Sequence, residues 1–284
     1  MNSTADAVIS GANVNQPRRP APALQFSKWF HAAGAVTCAV EPVLWPWVLG
    51  ALAGNHLLLG AAVLWPRGGM LGPNLVRLPA SAVRRNEVSL TFDDGPDPEV
   101  TPRVLDLLDS LQAKASFFCV GEKAAAHPDI VREIARRGHS VENHSYRHAH
   151  AFAFYGPGRL RGEVEETQVL IADITGRSPA FFRAPAGFRS PLLDAVLALN
   201  GVRYVSWTRR GFDTVDADAA AVLRRLTRGL AAGDVLLLHD VASRRTSSGE
   251  PVVLAVLPAL LECLAASGLK PVSLPAACRE DAIR

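Results

Sequence analysis

Cysteine is scarce in this sequence, and its few thiols form no recognisable set. Four cysteines occur among 284 residues, and none stands in a C-x-x-C pair. They are Cys38, Cys119, Cys263 and Cys278. The first two lie in apolar runs, which is typical of small buried side chains. The sequence therefore predicts no disulfide framework, and this favours a reducing compartment.

Several other signatures are missing, and each absence argues against a class of protein. The formal net charge is only +3, and the basic residues form scattered pairs without interleaved aromatic side chains, so we expect no nucleic-acid binding. The stretch "GPGRLRG" lacks the spacing and the preceding strand of a dinucleotide loop, so we expect no nucleotide cofactor. No G-x-S-x-G motif occurs, which argues against a covalent serine mechanism.

A long apolar stretch, residues 29–65, separates two unlike parts of the chain. Residues 1–28 are predicted to be a disordered tail, and residues 66–85 a linker rich in Gly and Pro. The stretch exceeds the apolar core of a signal peptide, about 7–15 residues, and one membrane span needs about 20. We expect a two-span hairpin, roughly Trp29–Trp45 and Trp47–Trp65. A single span or a hairpin packed on the soluble domain also fits the pattern.

The soluble part, residues 86–276, alternates β-rich segments with segments of helical spacing, and residues 277–284 form a C-terminal tail. "EVSLTF" precedes "TPRVLDLLDSL", in which Thr101 is the expected N-cap, and "ASFFCVG" precedes "HPDIVREIARRG". Such alternation indicates parallel strands joined by helical crossovers. We predict an α/β fold, a distorted (β/α) barrel with about seven parallel strands, preceded by a transmembrane helical hairpin.

Reactive side chains stand at or beyond the carboxyl ends of five predicted strands. In a β/α barrel these ends converge on one face, where active sites lie. We therefore predict that the groups form one site. They are Asp93 and Asp94 after the first strand, His144 and His148 after the third, Arg183 after the fourth, Asp213 beyond the fifth, and His239 and Asp240 at the end of the sixth.

The histidines and the aspartate pair have the chemistry of a metal site. His144 and His148 are spaced i and i+4 in "HSYRH", and one carboxylate with two imidazoles is a familiar open site for a divalent ion. Nitrogen and oxygen ligands favour zinc or a similar ion. One aspartate would bind the ion, and the other would accept a proton from the attacking water. Surface histidines without a metal, or His150 in place of His148, are the alternatives.

Four motifs resemble, in order, those of the polysaccharide deacetylase family, also called the NodB-homology domain. They are "TFDDGP", "HSYRH", "RAPAG" and "LLLHD". The resemblance extends from about Glu87 to Leu274. It implies a distorted β/α barrel that removes N- or O-acetyl groups from sugars with the help of a metal ion, zinc first, with cobalt, nickel or manganese as alternatives.

The resemblance also implies which residues bind the metal and which one acts as the catalytic base. Asp93 would be the catalytic base, and Arg183 would position it. The metal ligands would be Asp94, His144 and His148.

The remaining implied roles concern the leaving group and the acetyl group. His239, held by Asp213, would protonate the leaving amine, which suits an imidazole near neutral pH. The backbone N–H near Ala186 would stabilise the oxyanion. Substrate contacts are assigned to Pro185, Ala186 and Leu237, with Leu237 lining the pocket for the acetyl methyl group.

Two positions depart from the family's pattern. Ala186 stands where a tyrosine is usual, which weakens sugar stacking but keeps the backbone role. The fourth motif usually reads aspartate, two residues, aspartate, tryptophan, whereas "RRGFDTV" keeps the second aspartate and has Arg210 and Thr214 at the outer places. Trp207 or Phe212 would have to replace the missing tryptophan as a wall of the site.

The leading interpretation is a membrane-anchored, metal-dependent carbohydrate N-deacetylase that acts on a membrane-associated or lipid-linked glycan. Hydrolysis of a non-sugar amide is an alternative. A glycan-binding protein without catalysis is another, although it would not need the retained acid–base residues. Basic residues flank the predicted hairpin and its turn has none, which favours a bacterial-type inner membrane with a cytoplasmic barrel. An extracytoplasmic barrel is the alternative.

Overall fold

One curled sheet of parallel strands organises the soluble part of the protein. The computed structural model describes residues 21–279, so most of the predicted N-terminal tail, residues 1–20, and residues 280–284 of the C-terminal tail lie outside it. The strands are β1 (Glu87–Asp93), β2 (Ala115–Cys119), β3 (Ser140–Asn143), β4 (Phe181–Phe182), β5 (Arg203–Tyr204), β6 (Arg209–Arg210), β7 (Val235–His239) and β8 (Lys270–Pro271).

The strand order confirms the predicted α/β fold as a curled half-barrel. Seven strands follow the order β5-β4-β3-β2-β1-β7-β6, and β8 pairs with the start of β1. Every pair of named strands is parallel, and among the described residues β5 and β6 do not pair, so the barrel is open between them. β1 lies inside the sheet between β2 and β7, and its register sets Asp93 beside Phe118 of β2 and His239 of β7.

Helices cover the outer face of the sheet and join its strands. Buried residues of α4 and α10, Leu105 and Leu257 among them, share one apolar core with Leu90 and Phe92 of β1. The helices are α1 (Pro22–Val40), α2 (Trp45–Val63), α3 (Ala80–Arg84), α4 (Val100–Ser110), α5 (Gly121–Ala126), α6 (Pro128–Arg136), α7 (Pro157–Thr175), α8 (Leu193–Leu199), α9 (Ala219–Thr227), α10 (Val252–Ala266) and α11 (Leu274–Ala277).

The prediction that Thr101 caps helix α4 is wrong. The helix begins at Val100, and the carboxylate of Asp97 accepts hydrogen bonds from the backbone N–H groups of Glu99 and Val100, each at 2.8 Å. Thr101 lies inside the first turn, and its hydroxyl instead donates to Asp240 at 2.6 Å. An aspartate before the helix thus takes over the capping role that was predicted for the threonine, and the N–H groups it binds lie earlier in the chain.

The apolar stretch folds into an antiparallel helical hairpin, α1 and α2, joined by the single 3₁₀ turn Pro42–Leu44. Its two helices pack at Gly34, where a Cβ would lie 2.9 Å from Val48. The buried amide of Asn55 donates to the hydroxyl of Ser27 at 2.8 Å. Helix α1 begins at Pro22 rather than Trp29, so residues 22–28 of the predicted tail are helical.

Most of the hairpin surface is exposed and apolar. Trp29 and Trp47 are 70% and 79% exposed, far more than core tryptophans would be. Among the described residues, only Pro42–Val63 is both long and apolar enough to cross a membrane, a criterion of length and composition alone.

The segment after the hairpin is docked on the barrel. Leu71 and Leu78 are buried, and Leu75 forms a parallel bridge with Val205. Leu71 also contacts the foot of the hairpin, where the N–H of Ala23 donates to Met70 at 3.1 Å. Residues 66–85, predicted as a linker, therefore fix the hairpin against the soluble part.

Candidate active site

The carboxyl ends of the parallel strands bring the predicted residues into one cleft of about 180 Å³. Asp93 ends β1, His144 follows β3, and His239 ends β7. The strands run the same way, so these ends meet at one edge of the sheet. The cleft is lined by Asp93, Asp94, His144, His148, Ala186, Gly187, Trp207, Arg210, Thr214, Leu237, His239 and Ala242.

Asp94, His144 and His148 form a cluster with the geometry of a metal site. One oxygen of Asp94 lies 3.2 Å from Nε2 of His144 and 3.0 Å from Nε2 of His148. The candidate ligand atoms all lie within 4.8 Å of one another. His150 is exposed and is not part of this cluster.

The surroundings of the cluster fit a bound divalent ion. Nδ1 of His144 lies 2.8 Å from the backbone oxygen of Arg183, so a proton on Nδ1 leaves the lone pair of Nε2 facing Asp94. Metal-binding histidines are oriented in this way by a carbonyl group behind the ring. Burial would raise the pKa of Asp94, but when the imidazoles of His144 and His148 instead carry protons on Nε2, their hydrogen bonds outweigh burial and hold this pKa well below its usual range.

The loop that carries His148 is held by helix α7, through a residue that the sequence motifs did not reveal. The carboxylate of Glu163 accepts hydrogen bonds from the N–H groups of Tyr146 and Arg147, each at 2.9 Å. The hydroxyl of Ser145 accepts a bond from the N–H of His148 at 3.1 Å. A buried acid two turns into a helix has no local signal, because its partners lie in a separate loop.

Close packing constrains the backbone around the aspartate pair. Asp94 has a φ of 74°, a left-handed conformation that is uncommon for a residue with a side chain. Its carbonyl accepts a hydrogen bond from Lys123 at 2.8 Å. A Cβ at Gly95 would lie 2.5 Å from the carboxylate of Asp240, so glycine is required there.

Asp93 is fixed by a fully buried arginine. Nη1 of Arg183 donates to Oδ1 of Asp93 at 2.5 Å and to the hydroxyl of Thr91 at 2.9 Å, and Nη2 donates to the backbone of Ser206 at 3.0 Å. The guanidinium also lies 4.2 Å from the ring centre of Phe118. Oδ2 of Asp93 is turned towards His144, 3.9 Å away, so this oxygen faces the cleft.

His239 and Asp213 form a second buried pair. One oxygen of Asp213 accepts a hydrogen bond from the backbone N–H of His239 at 2.7 Å, and the other lies 2.9 Å from Nδ1 of the same histidine. Burial alone would lower the pKa of His239, but the bond and charge of Asp213 outweigh it and raise this pKa above its usual value. With Nδ1 engaged, Nε2 is the ring nitrogen left for the cleft.

The walls of the cleft come from the predicted substrate contacts and from Trp207. Ala186 lies in the turn Pro185–Gly187 with a φ of 53°, and Leu237 lies on β7. Pro185 is buried in that turn and is not among the lining residues. Trp207 lines the cleft.

Phe212, the other predicted replacement for the missing motif tryptophan, is not among the residues that line the cleft. It contacts Arg210 instead, with the guanidinium 5.0 Å from its ring centre.

Asp240 is a buried acid whose function the motifs leave unassigned. One of its oxygens accepts from Thr101, whereas the other is buried without a partner. Burial raises the pKa of Asp240 to about 7. Because the same carboxylate packs against Gly95, it supports the loop that presents Asp94.

The half-barrel with a cleft at the carboxyl ends of its strands defines the fold and the site, and comparison with known proteins gives the family. The chain belongs to the polysaccharide deacetylase family, whose sequence model, described as polysaccharide deacetylase, matches residues 80–205. This confirms the resemblance drawn from the four motifs. The matched region excludes the hairpin.

Individual relatives are similar over about two thirds of the chain. A chitooligosaccharide deacetylase of Azorhizobium caulinodans is 30% identical over 205 residues, 69% of this chain and 97% of the relative. A peptidoglycan-N-acetylglucosamine deacetylase of Bacillus cereus is 32% identical over 177 residues, 61% of this chain and 63% of the relative, so the match spans less than two thirds of that protein. The solved structure of a family 4 carbohydrate esterase from Streptomyces lividans, in complex with acetate, superposes with a TM-score of 0.59 at 34% identity, covering 65% of this chain and 91% of that one.

Proposed function

We propose that this protein is a metal-dependent deacetylase that removes N-acetyl groups from a membrane-associated or lipid-linked carbohydrate. One observation carries the proposal. A three-residue ligand cluster, a buried carboxylate–arginine pair and a buried imidazole–carboxylate pair all border the same cleft. A binding protein would need none of these acid–base pairs, whereas hydrolysis of an amide uses all of them.

Asp94, His144 and His148 would hold the metal ion, zinc in the first instance, with cobalt, nickel or manganese as alternatives. When bound, the ion supplies Lewis acidity to the acetyl carbonyl and to the attacking water. The chain contributes the orientation of the ligands: the carbonyl behind His144, and the bond from the backbone N–H of His148 to the hydroxyl of Ser145, hold both imidazoles towards Asp94.

Asp93 acts as the general base in this proposal. Arg183 occupies Oδ1 and leaves Oδ2 facing the cleft, where it can accept a proton from the attacking water. The guanidinium of Arg183 also donates to Thr91 and Ser206, and these bonds hold it in the barrel, behind Asp93.

His239 acts as the general acid. An amine leaves poorly without a proton, and a histidine whose pKa is raised by a buried carboxylate holds that proton near neutral pH. Asp213 fixes the ring through Nδ1, so Nε2 delivers the proton. This need for a proton favours N-acetyl over O-acetyl groups as the main substrate.

The acetyl group itself is held by the walls of the cleft. The N–H near Ala186 donates to the developing oxyanion, and its left-handed turn exposes that backbone to the cleft. Leu237 packs against the methyl group. Ala186 offers no aromatic face to the sugar, and Trp207 takes the place of the missing motif tryptophan as a wall of the cleft.

Two observations bear on the identity of the substrate. The relatives are named for peptidoglycan N-acetylglucosamine and chitooligosaccharides, which supports N-acetylglucosamine as the acetylated sugar. The foot of the hairpin touches the cleft wall: a Cβ at Gly187 would lie 2.6 Å from Trp207 and 3.0 Å from Pro66, just past the end of α2. A cleft beside an apolar hairpin suits a glycan held at a membrane.

Release of acetate tests the proposal. The full chain in detergent, loaded with zinc, is expected to release acetate from chitooligosaccharides and to lose this activity when Asp93 is replaced by asparagine. Equal release from N-acetylbutylamine would favour the non-sugar amide alternative. Binding of the oligosaccharides without release would favour the glycan-binding alternative.

A further inference from the structure

Arg210 is the one charged residue lining the cleft to which the proposed reaction assigns no task. It ends the short strand β6, and its register partner on β7 is Leu237, the wall proposed for the acetyl methyl group. Paired residues of adjacent strands lie about 5 Å apart and point to the same face. The guanidinium therefore belongs to the acyl end of the cleft.

The side chain of Arg210 is held by aromatic rings and not by an acid. Its guanidinium lies 5.0 Å from the ring centre of Phe212 and 5.5 Å from that of Trp207. Phe212 has a φ of 63°, a rare conformation for a bulky residue, so the backbone is strained where this ring is presented. The Nε atom of Arg210 is buried without a hydrogen-bond partner.

The neighbouring arginines show that partners are the rule in this part of the fold. Arg209 bonds to Asp234 at 2.5 Å, and Arg225, which also approaches Phe212, bonds to Asp216 at 2.6 Å. Among the described residues, no hydrogen bond or ion pair joins the guanidinium of Arg210 to any side chain or carbonyl. A half-buried guanidinium without an anion is costly, and an oxyanion held in two hydrogen bonds is its natural complement.

We propose that Arg210 binds a phosphate group carried by the N-acetylated sugar, an inference that rests on the proposed deacetylase function and specifies its substrate. In a cleft of about 180 Å³, the phosphate and the acetamido group belong to the same sugar or to adjacent ones. Arg67, at the foot of the hairpin, donates to the backbone of Thr208 at 3.4 Å, so the Arg210 strand adjoins the apolar hairpin. A sugar phosphate at this position matches a glycan joined to lipid through a phosphodiester.

Matched substrates test the inference. N-acetylglucosamine 1-phosphate is compared with the neutral methyl glycoside of N-acetylglucosamine in acetate release, and kcat/KM is measured for each. The wild-type chain is expected to prefer the phosphate at least tenfold. Arg210→Gln is expected to lower that preference by about 10- to 100-fold, the range of a charged hydrogen bond. Arg210→Lys keeps the charge but not the paired donors, and it should retain part of the preference.

Arg224→Gln is the matched control for the loss of one charge. This arginine on α9 is 71% exposed, with its nearest carboxylate 4.0 Å away, and the preference should not change. A wild-type chain without preference, or an Arg210→Gln variant that keeps it, would overturn the inference. Equal losses on both substrates would also overturn it, since they indicate a structural role.

Binding separates the failure of this inference from failure of the proposed function. Dissociation constants of both sugars, measured by calorimetry, report on Arg210 even if no sugar is deacetylated. Equal dissociation constants for the phosphorylated and the neutral sugar overturn the phosphate site. Tighter binding of the phosphorylated sugar that is lost in Arg210→Gln supports it. A dodecyl phosphodiester of N-acetylglucosamine then distinguishes the sources: tighter binding than the soluble phosphate identifies a lipid-linked sugar, and equal binding a soluble one. Preference for a sugar carboxylate over the phosphate would refute the assignment of phosphate.

Discussion

At the scale of single residues, the adjacent aspartates differ because their neighbours differ. Asp93 ends a strand, and a buried arginine holds one of its oxygens. Asp94 is turned by a left-handed backbone towards two imidazoles. The motif places both carboxylates in sequence, but only these three-dimensional contacts divide the work between them.

Replacing each aspartate with asparagine separates the two proposed roles. Asp93→Asn should lower kcat by about 10²–10⁴-fold, the usual effect of losing a general base, and keep the metal. Asp94→Asn should lose the metal as well, because an amide is a poor ligand for zinc. Plasma mass spectrometry after gel filtration measures the metal, and Asp173→Asn, on α7, is a control. Equal metal content in both cleft variants would refute the division.

The imidazole–carboxylate pair gives a pH prediction. Asp213 raises the pKa of His239, so the acid form needed for amine protonation persists to higher pH, and kcat/KM falls as pH rises through that pKa. Asp213→Asn removes the charge that favours the imidazolium. Its falling limb should therefore lie at lower pH than in the wild type, beyond any loss of rate. The pH profiles of both proteins, measured on one oligosaccharide, check this. An unshifted limb would mean that another group sets it.

At the scale of elements, the site depends on how helices and strands are tied together. Helix α7 holds the His148 loop through Glu163, and the start of α4 holds Asp240 through Thr101. At the start of β3, the N–H of Ala115 donates to Nδ1 of His139 at 3.2 Å, and Nε2 of that ring is buried without a partner. His139 is thus a neutral buried ring that links β3 to β2.

That ring should make the fold sensitive to acid. Burial, with a smaller contribution from Lys114, lowers the pKa of His139 to about 4, below the usual 6.5. Because the folded protein binds this proton less tightly than the unfolded chain does, the contribution of His139 to the free energy of unfolding is complete above pH 6.5 and is lost as pH falls towards 4. Between pH 7.5 and pH 5 the loss should be about 2 kcal/mol.

His139→Asn should remove most of this pH dependence, because the amide oxygen can accept the Ala115 N–H without taking up a proton. Urea unfolding of the chain in detergent, followed by tryptophan fluorescence at both pH values, measures the difference. His150→Asn, in an exposed loop, is the control. If the variant loses as much stability in acid as the wild type, His139 is not the group responsible.

At the scale of the whole molecule, the sequence predicted what local pattern can encode. The strand–helix alternation and four short motifs gave the half-barrel and the residues at its strand ends. β6 was missed because two adjacent arginines, Arg209 and Arg210, carry no apolar alternation. The docking of residues 66–85 and the packing of Pro66 on Gly187 were also missed, because both depend on contacts between residues far apart in sequence.

The hairpin is the part of the molecule where sequence and relatives point in different directions. Each helix has 19 residues, about 28 Å long, close to the hydrocarbon thickness of about 30 Å, and among the described residues only the segment containing the second helix is also apolar enough to cross it. Both ends of the hairpin meet at the barrel, where Ala23 bonds to Met70. We therefore expect the barrel and both ends of the hairpin to lie on the same side of the membrane.

The side itself is the last prediction. Arg18, Arg19 and Lys28 near the first helix, and Arg67 and Arg77 after the second, lie within the distance of about 15–20 residues over which positive charge sets orientation, and the turn has no Lys or Arg. We therefore expect a cytoplasmic barrel, although relatives named for peptidoglycan favour the outside. Fusions after Pro79 and after Arg284 should be fluorescent with green fluorescent protein and inactive with alkaline phosphatase. Active phosphatase at both sites would place the barrel outside and make an extracytoplasmic glycan the substrate.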